Sequence, residues 1–404
     1  FGNFRKLLEE ITLCVAMGSF LNTLNNEKED PVTGRQPDEN YAREVMQLFT
    51  LGVSQLNLDG TPKTDANGAP LDTYTQSDVT NLARVFTGYV TDESDGYTKS
   101  PVAPMYFNVA NVGYTRKPMK LLSFRHSLLE KKFLGTTIPA NTDGATSLKI
   151  ALDTLFNHPN VGPFFSRQMI QRLVTSNPSP AYVKRVATIF NDNGSGIRGD
   201  LKAVFKAVLL DDEARSAATL SSTTHGKLRE PMLRFAQWAR TFKLNSKRGT
   251  WKINPPNYGS TTLGQYPLRS PSVFNFFRPG YVPANTAIAT NALVAPEFQI
   301  VTEVSVAGYI NFMASAIGSV NGLNNDVKAT YTRELAIVSD TAALLNRLSL
   351  LLSGNQLTDT TKATIKAALD ATTVTDTSAL ADKERRVYLA TLLVFASPDY
   401  LVQK

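Results

Sequence analysis

Apolar residues recur along most of this chain at the three- and four-residue spacing of a helix, not at the alternation of a strand. The stretch "DENYAREVMQLFTLG", Asp38 to Gly52, shows the pattern most clearly. At about 100° per residue, Tyr41, Ala42, Val45, Met46, Leu48 and Phe49 share one broad apolar face. That face predicts a helix over 39–51 with Tyr41, Val45, Leu48 and Phe49 buried. Asp38 stands where an N-cap belongs and Gly52 where a C′ glycine belongs. Asn40, Arg43, Glu44 and Gln47 form the opposite stripe, with Glu39 at its edge. The stripe contains no lysine, and Arg and Asn suit fixed, directional hydrogen bonding. It is therefore expected to face the interior, with Arg43 bonded to backbone carbonyls or a distant carboxylate and Glu44 accepting from backbone or a second cation.

The same periodicity predicts a helix over about 3–24 and another through "SDVTNLARVFTGY", with Ser77 as cap and Gly88 beyond its end. It predicts a third ending at His158-Pro159, where the imidazole could cap the last carbonyls, a pair broken at Asn177-Pro178, and one capped by Asp200. "LREPMLRFAQWARTF" and the C-terminal stretches read as further helices. Asp59-Gly60 and Asn67-Gly68 are hairpin turn signals, so residues 53–76 read as a β-hairpin insertion. Residues 243–296 read as a long irregular loop with too many aromatics to be disordered. The fold class is mainly α: a multi-helix globular fold with small β-hairpin insertions and that loop, expected as one compact domain over 1–404.

With 404 residues, 42% apolar and 19% charged, the chain can bury a large core. No apolar run approaches membrane length, so no membrane span is expected. The single cysteine, Cys14, excludes an internal disulfide and lies in the apolar run "EITLCVAM", as a small core residue would. The +7 net charge is spread over scattered Lys and Arg, without the basic, aromatic-interleaved block of a nucleic-acid binder. Loops rich in Thr, Asn, Ser and Gly with almost no cysteine fit a secreted or periplasmic bacterial protein.

"ENYAREVMQLFTLG" followed by "YTQSDVTNLARVFTGY" resembles the opening block of the bacterial domain of unknown function 1800 family. "FRHSLLEKKFLG", "ALDTLFNHPNVGPFFSRQMIQRLV", "KLREPMLRFAQWAR" and "YPLRSPSVFNFFRPGY" resemble its later blocks in the same order. The resemblance implies a helical fold and an exported protein, and it implies no reaction. His126-Ser127-Leu128-Leu129 replaces the family's His-Asp-Pro-Gly, so no role carries over for a carboxylate after that histidine. The family's usual N-terminal helices are absent, and the chain begins at Phe1. The resemblance thus implies a partner: another chain, or the missing N-terminal segment of the same precursor, lying against Phe1, Phe4, Leu7 and Leu8.

Candidate chemistry is sparse. Glu39 and Arg43 stand i,i+4 in the favourable order for an ion pair. Glu44, if desolvated, is the candidate acid or base, with Asn40 and Arg43 to orient a substrate. His126 is the candidate catalytic histidine, since His158 and His225 read as structural and no two histidines share metal-ligand spacing. No nucleophile elbow or phosphate-binding glycine motif is present, and no cofactor is implied. Asp192, Asn193, Ser195 and Asp200 read more simply as a turn and a helix cap than as a calcium loop. Trp251, Tyr258 and Tyr266 are candidate binding residues for an extended glycan or peptide. Two classes stay open: an exported binding or assembly protein, and an exported enzyme with hydrolase-like acid/base chemistry on a glycan or peptide through Glu44, Arg43 and His126.

Overall fold

The computed structural model describes residues 2–94, 97–99, 108–110, 112–253, 263–319 and 322–404. The architecture is mainly helical, and among the described residues its sheets are two-stranded antiparallel pairs. The chain divides into two compact units, one of residues 1–173 and 178–215, the other of residues 174–177 and 216–404. No helix among the described residues is long and apolar enough to cross a membrane.

The first unit begins with α1 (Phe4–Thr12), capped by the Asn3 side chain, and α2 (Val15–Phe20). The periodicity predicted one helix here. The chain extends instead at Cys14, which makes an antiparallel bridge to Pro118, while Leu13 accepts a 2.7 Å hydrogen bond from the Met119 amide. That exchange of partners ends α1, and Cys14 is half-buried. Phe4 and Leu8 are buried within the unit itself, Phe4 against the rings of Phe156, Phe165 and Phe190, while Leu7 is exposed; Phe1 lies outside the described residues. The aromatic cluster covers Phe4, and Leu8 is buried in the same unit, so the chain itself supplies a cover for these two side chains.

The Asp38–Gly52 stretch is α3 (Asn40–Glu44) continued by a π-helical turn, Val45–Thr50. A π-turn advances less than 100° per residue, so the apolar face rotates out of the phase the sequence predicts. Tyr41, Val45 and Met46 are buried as expected, but Thr50 and Leu51 are buried in place of Leu48 and Phe49, which are half-buried. Gly52 ends the turn at φ 73°, and a Cβ there would come within 2.5 Å of the Phe164 ring. A glycine is thus required both by conformation and by space.

Residues 53–73 form a flat meander with rungs at Ser54–Asp72, Leu56–Pro62 and Thr64–Pro70. Helix α4 (Gln76–Ala83) is capped by Thr75, not Ser77, because Thr75 and Asp78 complete a reciprocal capping box. The core of the unit is closed by α5 (Gly144–Asn157), α6 (Val161–Leu173), α7 (Pro180–Asn191) and α8 (Leu201–Leu210). Asp200 caps α8 through the amides of Lys202 and Ala203, as predicted.

The second unit packs the helices Pro231–Thr241, Glu303–Gly318, Thr341–Ser353, Asp359–Asp370 and Leu380–Ala396 around Trp238, Phe242, Phe395 and Tyr400. The Trp238 indole donates to the Tyr331 hydroxyl at 2.8 Å. Lys227 and Glu297 form an ion pair at 2.9 Å with both side chains 1% exposed.

Candidate functional site

Arg43 and Glu39 form the i,i+4 pair that their spacing predicts, at 3.1 Å. Gln76 joins them, accepting from Arg43 at 3.0 Å and donating to Glu39 at 2.8 Å, and the Thr80 hydroxyl donates to the other Glu39 oxygen at 2.7 Å. Partial burial pushes the Glu39 carboxyl up, but the hydrogen bonds from Thr80 and Gln76 and the charge of Arg43 outweigh it and hold it below the usual range. The Arg43 side chain is 39% exposed and bonds no backbone carbonyl among the described residues, which corrects the expectation of an interior network. The reason is geometric: the helix offers Arg43 a carboxylate one turn away, on its solvent edge. Asn40 is half-exposed on the same edge, and its amide N–H is capped by Asp38.

Glu44 turns the other way. It is 8% exposed, and no hydrogen bond or ion pair holds its carboxylate among the described residues, which corrects the expected partners. Desolvation pushes this carboxyl above its ordinary value, with Arg43 only partly opposing it. Glu44 is therefore a desolvated acid at the junction where α3 widens into the π-turn.

His126 is 1% exposed. Its Nδ1 lies 3.0 Å from the Thr87 carbonyl, which can only accept, so Nδ1 carries the proton. Nε2 is left as a buried acceptor with no partner among the described residues. Burial pushes the imidazole below its ordinary value, and it is neutral at pH 7.

The residues beside His126 form a network that sequence reasoning missed. Ser127 is fully buried and donates to the Glu29 carboxylate at 2.8 and 2.9 Å. Lys131 is fully buried, with Nζ donating to the carbonyls of Ser127 at 2.9 Å and Leu129 at 3.3 Å. Burial pushes its ammonium down to about 8, against the pull of Glu29 and with the push of Arg84. Arg84 approaches Glu29 at 3.9 Å and donates to Asn81 at 2.8 Å. One signal was available. "KKF" forms a short strand, 131–133, in which alternation puts Lys131 on the buried face with Phe133 and Lys132 outside.

No hydrogen bond or ion pair joins Glu44, Arg43 and His126 to one another. Trp251 and Tyr266 belong to the second unit, Trp251 55% exposed and Tyr266 half-buried; Tyr258 lies outside the described residues. Asp192 accepts from the amides of Gly194 and Gly196, and Asp200 from the side chain of Asn193, so these oxygens close the turn and cap. No group of potential metal ligands gathers among the described residues.

A cleft of about 540 Å³ opens beside the start of α3. Its wall carries Asn22, Asn25, Asn26, Glu27, Arg35 and Asp38. Asn22 and Asn25 hold left-handed backbone, at φ 62° and 64°, which asparagine tolerates better than most residues. Asn26 and Asp38 exchange two hydrogen bonds, the Asp38 amide donating at 2.9 Å and the Asn26 side chain at 3.2 Å. Arg35 pairs with Glu27 at 2.6 Å. The wall is thus built of amides, carboxylates and a guanidinium already fixed in place.

A family model described as "Protein of unknown function (DUF1800)" matches residues 1–402. The chain belongs to the DUF1800 family. No curated protein matches it, and no solved structure matches it. For this DUF1800 chain the matched region includes every network described above and the cleft.

Proposed function

We propose that this chain is a binding or assembly protein, exported by a bacterium, and that the cleft lined by Asn22, Asn25, Arg35 and Asp38 takes an extended polar ligand such as a glycan or peptide strand. The observation that carries the reading is the contrast between that open, pre-arranged polar wall and the closed surroundings of His126. Amides and carboxylates fixed at fixed spacing suit a ligand rich in hydroxyl or amide groups. An acid/base pair needs its proton-carrying atoms within reach of one substrate, and Nε2 of His126 is enclosed.

Titration calorimetry with soluble oligosaccharides and peptides tests this. Asn22→Gly and Asn25→Gly keep the left-handed backbone and remove the amides. Ligand binding lost in both variants at unchanged thermal stability supports the cleft. A second reading, hydrolysis through Glu44, rests on that carboxyl being desolvated. Turnover of a bound polymer, abolished by Glu44→Gln with the fold retained, would replace the first reading by the second.

A further inference from the structure

A second cavity of the first unit, about 460 Å³, is lined by Leu56, Asn57, Leu58, Lys63, Asn157, Pro159, Asn191 and Arg198. Its size falls within the range of small-molecule sites. Its lining holds two cations, three amides and three apolar side chains, and no carboxylate.

Arg198 is fixed with care. Nε donates to the Phe156 carbonyl at 3.0 Å, one terminal nitrogen to the His158 carbonyl at 3.1 Å, and the other to the Asn191 side chain. The guanidinium also lies over the rings of Phe156 at 5.5 Å and Phe190 at 5.2 Å. These partners use three of the five N–H groups of a guanidinium. None of them is an acid, so the positive charge is positioned and half-buried without an opposing charge. Lys63 stands exposed on the meander, its backbone held by hydrogen bonds to Gln55 and Leu71, and its ammonium has no ion pair among the described residues. His158 senses both. Burial lowers its imidazole, and the charges of Arg198 and Lys63 lower it further. Its Nδ1 accepts from the Asn160 amide.

We infer that this cavity binds a small organic anion, its phosphate or carboxylate between Lys63 and Arg198 and its apolar body against Leu56, Leu58 and Pro159. The site shares no lining residue with the Asn22–Asp38 cleft and stands or falls apart from the function proposed there. A guanidinium already fixed in place with N–H groups to spare recognises such oxygens at little cost in reorganisation.

The imidazole of His158 is a built-in reporter, because a bound anion must raise its titration midpoint. NMR titration of the three histidines is followed with inorganic phosphate, phenyl phosphate and benzoate as probes. Phenyl phosphate or benzoate is expected to raise the His158 midpoint saturably, to bind more tightly than inorganic phosphate, and to leave His225 unmoved. Lys63→Met, at an exposed position, is expected to weaken that binding about tenfold or more. Asn157→Ala, also exposed, is expected to weaken it less. Absence of a saturable His158 response to every probe, or equal affinity in wild type and Lys63→Met, would overturn the assignment. Inorganic phosphate binding as tightly as phenyl phosphate would overturn the role of the apolar wall.

Discussion

Glu39, Arg43, Gln76 and Thr80 form one polar network of the first unit; Glu29, Arg84, Ser127 and Lys131 form another. Each combines a carboxylate, a cation and a hydroxyl. The first lies on a helix edge where water screens it, and the spacing of Glu39 and Arg43 announces their pair, though not Gln76 or Thr80, in the sequence. The second is centred on the fully buried Ser127 and Lys131, and its four residues come from three separate segments of the chain. Similar chemistry thus carries very different energies. A solvent-facing pair contributes little because its members are nearly as well hydrated apart. A buried group cannot return to water when its partner is removed.

The contrast is broken most forcefully at Lys131. Lys131→Ala removes the donor to the buried Ser127 carbonyl and to the part-buried Leu129 carbonyl and leaves a void, so urea unfolding should show a loss of about 3–5 kcal/mol. A loss below about 1 kcal/mol would mean the buried network is incidental. Next comes the π-turn. Leu51 is fully buried and Leu48 half-buried, so Leu51→Ala should cost about 2–5 kcal/mol and Leu48→Ala about half as much. The reverse order would restore a regular α-helix through Thr50. The pH dependence is subtler. The Lys131 ammonium titrates at about 8 when folded, against 10.5 for its ordinary value. Between those values the unfolded chain holds a proton that the folded chain has released, so stability rises with pH across that window. The cost of the buried charge is full below about 8, and Lys131→Met should erase this rise in unfolding experiments run from pH 7 to 10.5. The smallest effect belongs to Arg43. Arg43→Ala should cost about 0.5 kcal/mol or less, and a loss like that of Lys131→Ala would put the first network in the interior after all.

What could be read from the sequence follows the same division. Helices announced by period and cap were legible, as at Asp200 and in the pair meeting at Asn177-Pro178. The i,i+4 pair of Glu39 and Arg43 was legible because it is local. The π-turn at Val45–Thr50 was not, since 3.6-residue periodicity assumes the turn it is testing. The break at Cys14 depends on Pro118, over a hundred residues away, which no local pattern contains. Ser127 and Lys131 looked like ordinary polar residues because their burial is decided by Glu29, Thr87 and Arg84. His126 was singled out in the sequence as a candidate site residue, and its environment is a closed network.

Glu44 and His126, the two catalytic candidates that the sequence offers, are joined by no hydrogen bond among the described residues, and each is set by its own surroundings. The His126 imidazole followed by NMR against pH, in wild type and in Glu44→Gln, tests this directly. A carboxylate within reach of an imidazole holds its titration midpoint up, and removing the charge must let it fall. The midpoint is expected to stay unchanged, set by burial, Thr87 and Lys131. A fall of about half a unit or more in Glu44→Gln would place the two groups in one electrostatic site and contradict it.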